Sequence, residues 1–313
     1  MTTPYAAWSV TGVGSLPHVD ASEAAAFVRA TAPTLPYLAQ LPNRDPAEGM
    51  LTQWGVGVAG ARQDGLILRP GGRVQRAFAP QATGGYEACL DALAGWDGPV
   101  KVPVTGPVTV AVALLAGGGE RPDLHAVGAE LGARAALLLG RVREALPAAV
   151  PVVTVDEPGL AALAHPGFPY RPADVAAALR AIVAGLPHAG VHCCAEVPWP
   201  VVLAAKPAYV SFDVGTLGAA TAGLLDAVCS FVNTGGSLWW GAVPTDTWPV
   251  PAVDDLYDRL TQWEGELALA GADPARLATQ AVLTPACGLA GLSEAHAADV
   301  MERCAELARR MGG

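Results

Sequence analysis

Eight short runs rich in β-branched and aromatic residues alternate with stretches of helical periodicity along this chain: Trp8–Val13, Tyr37–Gln40, Val100–Thr105, Val152–Val155, Gly190–Cys194, Tyr209–Asp213, Ser237–Val243 and Gln280–Thr284. Between them lie amphipathic segments such as Leu124, Val127, Leu131, Ala135 and Leu138, or Val175, Leu179, Ile182 and Val183, with steps of three and four. Strand and helix alternating over short connectors predict parallel βα units, and eight such units predict a closed α/β barrel of the (β/α)8 TIM type. No long linker, low-complexity tract or internal repeat divides the 313 residues, so residues 1–313 are expected to form one domain. A small extra hairpin is expected near residues 65–78, Gly65–Phe78, turning at Gly71-Gly72.

Composition narrows the partners. With 19 basic and 29 acidic residues the net charge is −10, which argues against nucleic acid or an anionic membrane surface and leaves small molecules or a protein. Two long uncharged runs, Val102 to Gly119 and Ala227 to Thr245, are broken by Pro103, Gly106 and Pro107 and by Asn233, Gly235 and Gly236, so neither predicts a membrane span. Met1-Thr2-Thr3-Pro4-Tyr5 lacks a basic segment leading into an apolar one, and no signal peptide is expected. Six cysteines without a secretory leader are expected to be reduced thiols in a cytoplasmic protein.

In barrels of this kind the active site is built at the C-terminal ends of the strands. Five strand ends here carry potential chemistry: Gly14-Ser15, Asp156-Glu157, His192 with Cys194, Asp213, and Cys287. On a strand, His192 and Cys194 share a face while Cys193 points the other way. An imidazole and a thiol so placed are half of a zinc site, and Cys287 in Thr284-Pro285-Ala286-Cys287-Gly288 is the obvious third donor. The alternative is that His-Cys-Cys is a small buried strand segment. Cys89, Cys229 and Cys304 fall on helical apolar stripes and are expected in the core.

Taken in order, Val13-Gly14-Ser15-Leu16-Pro17, Thr105-Gly106-Pro107-Val108-Thr109, Val155-Asp156-Glu157-Pro158, His192-Cys193-Cys194 and Pro285-Ala286-Cys287-Gly288-Leu289 resemble the catalytic C-terminal barrel of cobalamin-independent methionine synthases, within the superfamily that also holds uroporphyrinogen decarboxylase. The resemblance implies zinc held by His192, Cys194 and Cys287, with Asp213 standing where the family has a glutamate ligand. It also implies that Gly14 and Ser15 hold the carboxylate of homocysteine, that Asp156 pairs with its amino group, and that the activity is methyl transfer to the thiol, giving methionine. A helix N-terminal signal is the other reading of Asp156-Glu157-Pro158, and a tight βα turn that of Gly14-Ser15.

Three departures bear on the methyl donor. The full-length family carries a second, N-terminal barrel, and its Trp-Ser after the Gly-Pro motif is replaced here by Ala111-Val112-Ala113-Leu114-Leu115; Trp240-Gly241-Ala242-Val243-Pro244-Thr245-Asp246 also lacks the family's leaving-group histidine. All three point from a folate toward a methylcorrinoid, free or on a donor protein, as in short single-barrel relatives. Two other classes stay open: a metal-free decarboxylase or lyase of the same superfamily, and a non-catalytic zinc- or ligand-binding relative. Among the remaining residues, His18 is expected in an exposed loop rather than lining the pocket, and Asp45 before Pro46 as a helix cap rather than, with Asn43 and Arg44, meeting an anionic substrate group. Trp199, Trp239 and Trp240 are expected either in packing or stacked on a flat donor.

Overall fold

The computed structural model describes residues 3–218 and 221–312. Seven strands form one parallel sheet: β1 (Ser9–Val10), β4 (Pro99–Thr105), β5 (Val150–Asp156), β6 (Gly190–Cys193), β7 (Tyr209–Asp213), β8 (Ser237–Val243) and β9 (Ala281–Pro285), in the order β1-β9-β8-β7-β6-β5-β4. The two strands missing from this series, β2 (Arg62–Asp64) and β3 (Ile67–Arg69), make a separate antiparallel hairpin. The edges β1 and β4 are bridged by the predicted second strand, 37–40. Leu38 N–H donates to the Lys101 carbonyl (3.0 Å) and Lys101 N–H to that of Pro36 (2.8 Å), while Gln40 N–H donates to the Gly14 carbonyl (3.0 Å) and the Gln40 carbonyl accepts from Leu16 N–H (2.9 Å). Prolines 36 and 42 keep the ladder that short. The result is a TIM-like barrel with helices outside, as the alternation of strand and helix predicts.

The hairpin turns at Gly65-Leu66, where Asp64 pairs with Ile67, and not at Gly71-Gly72. Gly65, the first of the two loop residues, takes the left-handed conformation (φ 63°) that the tight primed hairpin turns require there. Gly72 serves packing instead: a Cβ there would come within 2.5 Å of the Ala61 carbonyl oxygen. The excursion from Met50 to Phe78 is fastened by the buried Arg134, which donates to the carbonyls of Gln53, Trp54, Val56, Gln75 and Arg76 at 2.6–3.3 Å. It covers the helix Pro107–Ala116, which is apolar on nearly every side. That covering explains the first long uncharged run; among the described residues no helix is long and apolar enough to cross a membrane.

The strand period sorts the residues of the barrel wall. One set faces outward into the main core, including Cys193, Phe212 and Trp240, and Cys89, Cys229 and Cys304 are buried there too. The inward set begins with an apolar plug at the N-terminal end, Tyr5, Leu35, Val152, Tyr209, Trp239 and Val282, where the Tyr209 and Trp239 rings stack with centroids 3.7 Å apart. Trp239 and Trp240 are both fully buried and Trp199 nearly so, so all three pack and none is exposed at the mouth. Lys101 stands level with the plug residue Val152, and above the plug the inward positions turn polar: Thr154, Asp156, His192, Ser211 and Thr284, all buried.

Candidate functional site at the C-terminal end of the barrel

The register of β4 to β7 sets the upper layer. Thr105 pairs with Asp156, Asp156 with His192, and His192 with Ser211, so these side chains share one level and one face. His192 Nδ1 lies 2.9 Å from Ser211 Oγ, which fixes the ring, while its Nε2 is buried without a partner. Burial pushes the imidazole down to about 3, with the nearby Lys101 ammonium acting in the same direction, so His192 is a neutral ring with a free nitrogen.

Two residues beyond, Cys194 meets Cys287 from the loop after β9. The two thiols lie near enough to influence each other: their interaction holds Cys194 up and, aided by Gly288 N–H, holds Cys287 below the usual thiol range. Both are partly exposed, unlike the other four cysteines, which are buried. Ser15 closes this side: its carbonyl accepts from Leu289 N–H (2.9 Å), and a Cβ on Gly288 would lie 2.2 Å from its Oγ, so a larger residue beside Cys287 would displace the Ser15 hydroxyl. Asn43 ties the same rim together by donating to the Pro17 and Ala290 carbonyls at 3.2 and 3.1 Å.

Asp156 and Glu157 divide their roles. Glu157 turns outward and caps the helix Pro107–Ala116: its carboxylate accepts from Val108 N–H (3.0 Å), Thr109 N–H (2.8 Å) and Thr109 Oγ1 (2.6 Å). A Cβ on Gly106 would come within 2.2 Å of that carboxyl group, so Gly-Pro-Val-Thr and Asp-Glu-Pro are two halves of one lock. Asp156 turns into the barrel, where its Oδ1 is buried without a partner. Burial raises its carboxyl, and the Lys101 charge opposes the rise.

The predicted residues are brought together unequally. Cys194 and Cys287 lie near enough for their thiols to influence each other, and His192 faces inward on β6, two residues before Cys194, which lies just past the strand's end. Asp213 is turned aside: its carboxylate accepts Gly215 N–H at 2.7 Å as the cap of a short 3-10 turn. Among the described residues no three or more His, Cys, Asp or Glu side chains are drawn together closely enough to hold a metal ion. The donor chemistry still suits zinc, since two thiols and an orphaned imidazole nitrogen stand at the C-terminal ends of β6 and β9. Asp45 caps the turn at Pro46 as expected, accepting from Ala47 N–H at 2.8 Å. His18, expected in an exposed loop, is instead 5% exposed with its ring 4.9 Å from that of Phe27.

Sequence reasoning missed Lys101. Its signal was a lone charge between Val100 and Val102 in an apolar strand, buried at 1% exposure in the barrel interior. It also passed over His296, whose ring packs edge-on against the exposed Trp248 of the loop after β8, with centroids 4.2 Å apart.

No protein-family model and no curated protein matches the chain. Solved structures do. A B12-independent methionine synthase from Shewanella sp. W3-18-1, in complex with selenomethionine, superposes with a TM-score of 0.61 at 14% identity, over 97% of each chain. A methyltransferase from Methanosarcina mazei gives 0.59 at 15% identity, over 98% of this chain and 95% of that one. At these identities the likeness is one of fold: the chain shares its barrel, nearly end to end, with two enzymes of methyl-group chemistry.

Proposed function

We propose that this protein is a zinc-dependent S-methyltransferase that methylates a thiol, homocysteine by the resemblance, to give methionine. The carrying observation is the Cys194–Cys287 thiol pair at the barrel mouth, with the unpartnered Nε2 of His192 two residues before Cys194 at the end of β6. Cys194, Cys287 and His192 would hold the metal; Asp213 would have to give up its bond to Gly215 to join them. Zinc bound there would favour the thiolate form of a substrate thiol, the form that is a good nucleophile at neutral pH.

The chain's own residues supply the rest. Ser211 holds the imidazole in one orientation. Asp156 offers a buried, unpartnered carboxylate oxygen to an ammonium group. Ser15, fixed against Gly288, places the loop implied to receive the substrate carboxylate beside Cys287. The wall of the barrel excludes water from all but the mouth. The selenomethionine in the Shewanella enzyme suits such a pocket, since its head group is that of homocysteine. The donor we assign is a methylcorrinoid, free or carried by a partner protein.

The test is formation of methionine from homocysteine and a methyl donor by the protein as purified. Product that is lost on metal chelation and restored by zinc supports the proposal; product unaffected by complete metal removal contradicts it.

A further inference from the structure

Lys101 has no part in the thiol chemistry, and its burial has to be accounted for. An ammonium inside a barrel costs several kcal/mol in lost hydration unless something compensates it, and a methionine of the same length would fill the space without that cost. Lys101 Nζ donates to the Val13 carbonyl at 2.5 Å. An ammonium carries three donors, so this bond leaves capacity for another acceptor. Val13 directly precedes Gly14-Ser15, so the positive charge lies beneath the loop implied to receive a carboxylate. On the neighbouring strand stands Asp156, close enough for the two charges to feel each other, with Oδ1 unpartnered. Among the described residues the two form no direct ion pair. A cation and an anion therefore stand on adjacent strands of the barrel interior with no ion pair between them.

We infer that Lys101 is a substrate-binding residue: its ammonium receives the carboxylate, and Asp156 the ammonium, of an α-amino acid whose side chain runs up to the Cys194–Cys287 pair. This rests on the methyl-transfer reading for what the side chain does there, and it narrows the thiol substrate to zwitterionic amino acids. Burial pulls Lys101 below the usual lysine range, and the Asp156 charge opposes the fall. A purely structural Lys101, present only to pin Val13, would be indifferent to which charges a ligand carries.

The experiment uses ligands without a free thiol, so its result does not depend on the metal chemistry. Binding of L-methionine, of 3-(methylthio)propylamine, which lacks the carboxylate, and of 4-(methylthio)butanoate, which lacks the ammonium, is measured by calorimetry on the full chain and on Lys101→Met. Wild type is expected to bind L-methionine tightest of the three. Lys101→Met should weaken L-methionine and the butanoate about 10- to 100-fold, the worth of a buried charge-assisted bond, and leave the amine within about threefold. Equal losses for all three ligands, no loss for L-methionine, or a wild type that binds the amine as well as L-methionine or binds none of them would overturn the assignment. If Lys101→Met does not fold, the same three ligands on Lys101→Gln decide, with the same selective loss expected for L-methionine and the butanoate. Failure of methionine formation alongside this binding pattern would strike the methyl-transfer reading and leave Lys101 in place.

Discussion

With homocysteine as acceptor, turnover is expected to be about 10²–10⁴ times faster with methylcobalamin than with methyltetrahydrofolate, the range that a positioned general acid contributes. The folate nitrogen departs as a poor anion unless it is protonated, whereas a corrinoid leaves with its electron pair on cobalt and needs no proton. This chain has no histidine in the loop between β8 and the helix starting at Val253. That loop carries the exposed acid Asp246, and the imidazole that touches it, His296, comes from the last helix and is packed on Trp248. Where the family carries Trp-Ser, the apolar helix Pro107–Ala116 lies buried under the hairpin excursion. Parallel assays of the zinc-loaded protein, following methionine, decide the matter; faster turnover with the folate would contradict the donor assignment.

Asp156→Asn should weaken homocysteine by about 10- to 1,000-fold in KM or Kd while a plain alkyl thiol changes far less. The substitution keeps the shape of the side chain and removes the charge. In wild type the buried Oδ1 has no protein partner, so its interaction energy is available to a ligand cation. A thiol without an amine never makes that contact. Asparagine would also leave the Lys101 charge unopposed in the barrel, which adds to the loss for any ligand carrying an ammonium. Equal losses for homocysteine and an alkyl thiol would make Asp156 a structural residue.

The barrel was legible because its signals are periodic. Each predicted strand lies in the wall, and the inward and outward sets follow from alternation once the register is known. The two thiols at the mouth were legible by contrast, since Cys89, Cys229 and Cys304 sit on helical stripes and Cys194 and Cys287 do not. What escaped depends on contacts distant in sequence. Glu157 caps a helix through Thr109, 48 residues away, which nothing in Asp-Glu-Pro announces. His18 is covered by Phe27 of the first helix, where loop composition predicted exposure. The carboxylate of Asp213 satisfies its own turn, a local competition that a ligand motif does not reveal. Lys101 stayed hidden because a single lysine between valines reads as a strand with one polar edge. Its long stem instead carries the charge to Val13, 88 residues earlier in the chain.

The most direct measurement is the metal content of the full chain purified without chelators. About one zinc per chain is expected. It should be lost in Cys194→Ser and Cys287→Ser and retained in Cys193→Ser, whose side chain lies in the outer core. A metal-free wild-type protein, or zinc unchanged when Cys194 or Cys287 is replaced, would contradict a thiol-activating zinc centre at the mouth of this barrel.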